Sequence, residues 1–224
     1  MGKILILVTN HATLGTTKQA NGTFAPELTH ALEHLLSAGF EYDIASIKGG
    51  SVPLYGTEIT DGVNERLLDN ADLQTRLNNS IPVTQLNSDD YVAVFYPGGF
   101  GLLSDLATDK SAASISAAIY DKGAVVGAVC HGPAALLAIT LADGTPMLKG
   151  KSVTGFTREE EIDFGTIEHI PFLLEEALTR NSGSYHKVAP WGEHVIVDER
   201  LITGQNPASA AAVAKAMTKA LQTA

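Results

Sequence analysis

The chain has 224 residues, 45% of them hydrophobic, one cysteine and a net charge of −10. With 15 Lys and Arg against 25 Asp and Glu, it has no basic stripe to displace counterions from a phosphate backbone, so nucleic-acid binding is not expected. A lone thiol closes no internal disulfide, which points to a reducing, cytoplasmic setting.

The length suits a single α/β domain over 1–224. The opening run KILILVT (3–9) is too short for a signal sequence or a membrane span, and reads as a buried strand. The next segment, PELTHALEHLLSAG (26–39), carries Leu28, Leu32 and Leu35 on one stripe. Pro26 stands near its start and Gly39 at its end, as in a helix. EYDIASI (41–47), YVAVFYP (91–97), GAVVGAV (123–129) and KSVTGF (151–156) are further short apolar runs. Several are continuous rather than alternating, as in strands covered on both faces. Between and after them, SAASISAAIYDKG (111–123), GPAALLAI (132–139), IPFLLEEALTRN (170–181) and PASAAAVAKAMTKALQ (207–222) have helical period. HVIVDERLITG (194–204) reads as a hairpin around Asp198–Glu199. Residues 48–90 are polar and punctuated, and are expected as an excursion packed on the domain. The alternation predicts a doubly wound, mostly parallel sheet sandwiched by helices, flavodoxin-like, with a small C-terminal hairpin.

In such sheets ligands sit beyond the carboxyl ends of the strands. The segment GAVVGAVCHGPAALLAI (123–139) holds the only cysteine at such an end. A strand that turns sharply into a helix needs small residues two before and two after the turn. Ala128 and Gly132 flank Cys130 at those offsets, and Pro133 suits an early helical position. A thiol at a helix N-terminus is favoured as thiolate. Cys130 is therefore the expected nucleophile, and as an exposed, low-pKa thiol it is also a candidate for oxidation.

The motif AVCHGPAAL resembles the nucleophile elbow of the ThiJ/PfpI superfamily, on the class I glutamine amidotransferase-like fold. GTFAPEL, DYVAVFYPGGFG, VTGFTREEE and PWGEHVIVDERLITGQNPASA resemble its larger, glyoxalase III-like and chaperone-like branch, in the family's order along nearly the whole chain. The resemblance implies that Glu27 lies against Cys130, sharing one proton with it, a protonated carboxyl donating to a thiolate. It implies a Cys–His–acid triad of Cys130, His131 and a carboxylate from the loop after VTGF. Glu159, Glu160 and Glu161 compete there, and counting along the family pattern favours Glu161. It implies an oxyanion site from the Gly99 and His131 N–H groups, beside Gly98. Many relatives read Gly-Gly-His-Gly where this chain has Phe100, which takes a polar group from the pocket rim.

The implied activity is a cofactor-independent conversion of small reactive 2-oxoaldehydes, such as methylglyoxal, to 2-hydroxy acids. A stress-response holdase and a cysteine amidase or peptidase are the alternatives. A homodimer is expected by resemblance alone. No metal site is expected: His11, His30, His34, His169, His186 and His194 lack ligand spacing with Cys or Asp, although His30 and His34 are one helical turn apart. Trp191 is expected in the core, with a pocket wall as the alternative, and Asn206 as a helix cap before Pro207.

Overall fold

The computed structural model describes residues 2–223. Seven strands form the main sheet, in the order Val195–Asp198, Leu201–Gly204, Val125–Val129, Tyr91–Tyr96, Lys3–Val8, Glu41–Ser46, Ile81–Pro82. All neighbours are parallel except the edge pair Val195–Asp198 and Leu201–Gly204, which is the C-terminal hairpin. Glu199 takes the left-handed φ of 55° that the tight connection requires. The fold is thus the doubly wound α/β arrangement that the alternation predicts. Lys3–Val8 runs through its centre, with Ile4 to Val8 wholly buried.

Register decides which helix covers which face. Phe95 pairs with Gly127, and Tyr96 with Ala128. A Cβ on Gly127 would fall 2.2 Å from Met217 Sδ, so the missing side chain lets helix Ala210–Thr223 lie close on that face. Helix Ala25–Ser37 packs beside it. On the opposite face the Tyr96 hydroxyl meets Ser116 Oγ at 2.5 Å, on helix Lys110–Asp121.

Three expectations change. Ser152–Val153 is a strand, but it pairs with Ser184–Tyr185 in a separate two-stranded sheet, because Leu201–Gly204 already occupies the edge of Val125–Val129. Residues 48–90 do more than pack on the surface, since Ile81–Pro82 extends the main sheet at its far edge. Two short helices, Gly62–Leu68 and Ala71–Asn78, precede it, capped by the Asp61 and Asn70 side chains. The segment after the elbow, Gly132–Ala138, is a 3₁₀-helix rather than an α-helix. Its tighter winding and short length weaken the dipole expected to act on Cys130.

The order places the topological switch between Lys3–Val8 and its two neighbours, Tyr91–Tyr96 and Glu41–Ser46. The chain turns sharply out of Val125–Val129 close to that point. A Cβ on Gly132 would lie 2.4 Å from the Tyr96 carbonyl oxygen, which is backbone and cannot yield. Gly132→Ala is expected to lower unfolding stability by about 2 kcal/mol; an unchanged Tm in thermal unfolding would show that the turn is not crowded.

Candidate active site

Cys130 sits at the turn with a φ of 60°, a left-handed value that an L side chain seldom adopts. Two backbone bonds hold it there. Its N–H donates to the Gly204 carbonyl at 3.0 Å, and its carbonyl accepts from the Phe156 N–H at 2.9 Å. Strain of this kind persists only where the surroundings over-determine the conformation.

Glu27 arrives from another element. Helix Ala25–Ser37 begins directly after Phe24, whose N–H donates to the Gly98 carbonyl at 3.0 Å. The docking is close: a Cβ on Gly99 would strike the Gly22 carbonyl oxygen at 2.1 Å. With the helix start fixed on the Pro97-Gly98-Gly99 loop, Glu27 in its first turn points inward and is fully buried. A Cβ on Gly98 would fall 2.2 Å from Glu27 Oε2 and 2.6 Å from Cys130 Cβ. Carboxyl and thiol therefore converge over a glycine because only a glycine leaves room for both.

Burial dominates the electrostatics. It pushes the Glu27 carboxyl up to about 8, with the Cys130 thiol and the Gly98 N–H pulling back only in part. Neither carboxyl oxygen is otherwise hydrogen-bonded. At neutral pH Glu27 holds its proton. Burial and the neighbouring Glu27 also push the Cys130 thiol well up, against the opposing pull of the His131 N–H. This corrects the expectation of an exposed, low-pKa thiol: Cys130 is 3% exposed, and its resting sulfur is protonated.

His131 is buried, with Nδ1 3.4 Å from Cys130 Sγ and Nε2 2.7 Å from Glu161 Oε1. A carboxylate only accepts, so Nε2 carries the hydrogen and Nδ1 faces the sulfur with its lone pair. Thr166 Oγ1 donates to Glu161 Oε2 at 2.5 Å and fixes the acid in turn. The other two glutamates are occupied elsewhere. Glu159 is an exposed partner of Lys187. Glu160 closes a capping box with Thr157 and accepts at Oε1 from the Trp191 N–H and the Gln205 and Asn206 amides. The spacing Thr157-x-x-Glu160 is itself a capping-box signature, and could have removed Glu160 from the contest at the outset.

The Pro-Gly-Gly loop turns through Gly99 at φ 126°. The Gly98 N–H faces Glu27, and the His131 N–H faces the sulfur. Phe100 is buried against the His131 ring, at 4.4 Å between centroids, rather than standing at a rim. Tyr55 was not expected here. It lies in the 48–90 segment, beside Phe24 and Phe100, and its hydroxyl is pushed well up by burial and by the Cys130 and Glu27 charges. Nothing local in the sequence marks it, since strand Leu54–Tyr55 reaches the site only by pairing with Thr23–Phe24. Two minor expectations are corrected. Trp191 is 41% exposed rather than core, and Asn206 stands at the N-cap position before Pro207 as expected, but its side chain gives its amide to Glu160 and Gly192 instead of capping a backbone N–H. His30, of the helical His pair, is bound to Asp61 at 3.1 Å. Among the described residues no cluster of three or more His, Cys, Asp or Glu could hold a metal, and no helix is long and apolar enough to cross a membrane.

A family model described as DJ-1/PfpI matches residues 19–220. Glyoxalase 3 of Candida albicans is 30% identical over 240 residues, covering 99% of each chain. The glutathione-independent glyoxalase HSP31 of Saccharomyces cerevisiae is 32% identical over 236 residues, covering 98% of each. Among solved structures, the Rapid Encystment Protein 24 kDa of Francisella tularensis superposes with a TM-score of 0.93 at 32% identity, covering 99% of each chain. Glyoxalase III of Candida albicans gives 0.87 at 28% identity, covering 98% of this chain and 97% of that one.

The buried carboxyl has a consequence for stability. Below about pH 4.5 Glu27 is protonated whether the chain is folded or not. As pH rises from there to about 8, only the unfolded chain releases the proton, and folding loses on the order of 5 kcal/mol. Glu27→Gln cannot titrate and escapes this loss. Denaturant unfolding is expected to show Glu27→Gln gaining on the wild type between pH 5 and pH 8; a difference that stays constant with pH would show that Glu27 is ionised in the fold.

Proposed function

The chain belongs to the DJ-1/PfpI family, and from that premise we propose that it converts small 2-oxoaldehydes to 2-hydroxy acids without glutathione, with Cys130 as nucleophile. The observation that carries the reading is a neutral carboxyl and a thiol meeting over Gly98, with an oriented imidazole on the other side of the sulfur.

Each proton has a place in the reaction. His131 Nδ1 takes the thiol proton as Sγ bonds to the aldehyde carbon, and returns it to the aldehyde oxygen, giving a hemithioacetal. The Gly99 and His131 N–H groups steady that oxygen while it is charged. His131 then removes the hydrogen on the former aldehyde carbon, while the Glu27 carboxyl protonates the adjacent keto oxygen. The resulting enediol collapses: His131 returns its proton to the former keto carbon, and Glu27 recovers one from the other hydroxyl. The product is a thioester of the 2-hydroxy acid. Water, activated by His131, hydrolyses it and restores the thiol. The two-electron change is internal to the substrate, one carbon oxidised and its neighbour reduced, so the scheme uses no redox cofactor. Glu161 and Thr166 keep the imidazole in the required tautomer.

A Glu27 that starts neutral suits this isomerisation, in which an acid must protonate a ketone. It offers less to amide cleavage, where His131 alone would serve both steps. A cytosolic homodimer belongs to the same reading and rests on the family resemblance.

Purified protein is expected to form lactate from methylglyoxal with no thiol added. Cys130→Ala should abolish turnover, and Glu27→Gln should lower kcat about 100-fold, the usual contribution of a positioned acid. Turnover surviving in Cys130→Ala would overturn the mechanism. The wild-type kcat/KM is expected to fall as pH rises through about 8, where Glu27 loses its proton; a profile flat across that range would remove Glu27 as the acid.

A further inference from the structure

The His131 imidazole lies in a corner between two phenyl rings. Its centroid is 4.4 Å from that of Phe100 and 4.5 Å from that of Phe156, with tilts of 42° and 41°. A ring edge reaches further from its centroid than a face does, so edge-on pairs stand wide. In this molecule Phe100 meets Phe156 at 6.3 Å and 82°, and Phe156 meets Trp191 at 5.7 Å and 69°. Contacts of 4.4 and 4.5 Å are too close for a phenyl edge. Both phenyl rings therefore turn their faces to the imidazole.

Backbone that already shapes the site delivers both rings. Phe100 follows the Gly98-Gly99 turn, where Glu27 and Cys130 converge, and Phe156 is the residue whose N–H clamps the Cys130 carbonyl. The two rings are buried and His131 has no exposed surface, so solvent does not reach the imidazole. That burial sets a problem for a base. When Nδ1 takes the thiol proton, an S–H bond breaks, an N–H bond forms, and the imidazole gains a unit of positive charge. Away from water a cation is costly unless something negative faces it. Glu161 and the new thiolate meet the charge at the two nitrogens. On the flanks of the ring stand the two phenyl faces, which carry the negative lobes of their quadrupoles. Aliphatic side chains would fill the same space with no such charge distribution.

We infer that Phe100 and Phe156 stabilise the imidazolium form of His131 through their ring faces, and so set how readily Cys130 gives up its proton. Both act through His131. That His131 is the base rests on the function proposed above; that two phenyl faces meet it rests on the ring geometry alone.

Fluorine on a phenyl ring drains the negative face while barely changing the ring's size, so it separates charge from packing. Phe100 and Phe156 are each replaced by mono-, di- and trifluorophenylalanine. Two rates are followed at pH 7. One is alkylation of Cys130 by iodoacetamide, which needs the thiol proton to leave for His131 but no aldehyde chemistry. The other is lactate formation from methylglyoxal. Both are expected to fall stepwise with each fluorine, to about one-tenth of wild type for the trifluoro ring at either position, the scale of a desolvated cation–π contact. Trifluorination of Phe40, buried at the opposite, amino end of the strands, is expected to leave both rates unchanged. If alkylation ignores the number of fluorines, or Phe40 gives an equal fall, the two rings only fill space and their role is overturned, while lactate formation upholds the proposed reaction without them. If no lactate forms but alkylation falls stepwise at 100 and 156, the reaction is overturned while the role of the rings stands.

Discussion

The site depends on one constraint: a carboxyl group with no water around it, placed against a thiol. Desolvation charges heavily for an isolated anion, so Glu27 keeps its proton near neutrality, and the sulfur beside it keeps its own. Neither group is activated at rest. In the proposed chemistry the energy needed to ionise sulfur is met only when His131 accepts its proton and a carbon electrophile is present. The acid that the next step requires is already loaded. A buried, unionised pair is thus a resting state that discriminates against solvent and keeps the reaction tied to substrate.

The rest of the structure makes that constraint possible. The doubly wound sheet brings the ends of three strands to one edge, and three separate backbones must crowd there. Glycines at 98, 99 and 132 remove the side chains that would collide with Glu27, Gly22 and Tyr96. The left-handed turn at Cys130, clamped by Gly204 and Phe156, aims the sulfur into the gap. On its far side, the capping box of Thr157 and Glu160 fixes the helix that presents Glu161 to His131. The same Glu160 carries the Trp191 turn and the amides of Gln205 and Asn206, so one buried carboxyl ties the helix of the acid to the C-terminal segments beside it.

What could be read from sequence divides along a physical line. Cys130, Gly132 and the strand–helix alternation are imposed by short-range sterics, and leave marks within a few residues. Glu27 and His131 could be named because the motifs around them resemble a family pattern; their geometry could not. The choice among Glu159, Glu160 and Glu161 was open to counting, and local capping chemistry would have sharpened it. The burial of the thiol was misread because it comes from segments that are distant in the chain: Glu27 on the first helix and the Gly98 loop close over Cys130. The exposed position of Trp191 was misread for a related reason: a tryptophan carries no sequence mark of the left-handed turn that turns it outward. Ser152–Val153 looked like a main-sheet strand because pairing competition with Leu201–Gly204 is not a property of either segment alone.

The account stands or falls on where one proton resides. Infrared difference spectra between the wild type and Glu27→Gln, recorded across neutral pH, would show the carboxyl of residue 27 directly. A protonated carbonyl band present at pH 7, and fading as pH rises through about 8, is the predicted result. A carboxylate band already present at pH 7 would mean that Glu27 is ionised beside the sulfur, and the proposed division of acid and base would be wrong.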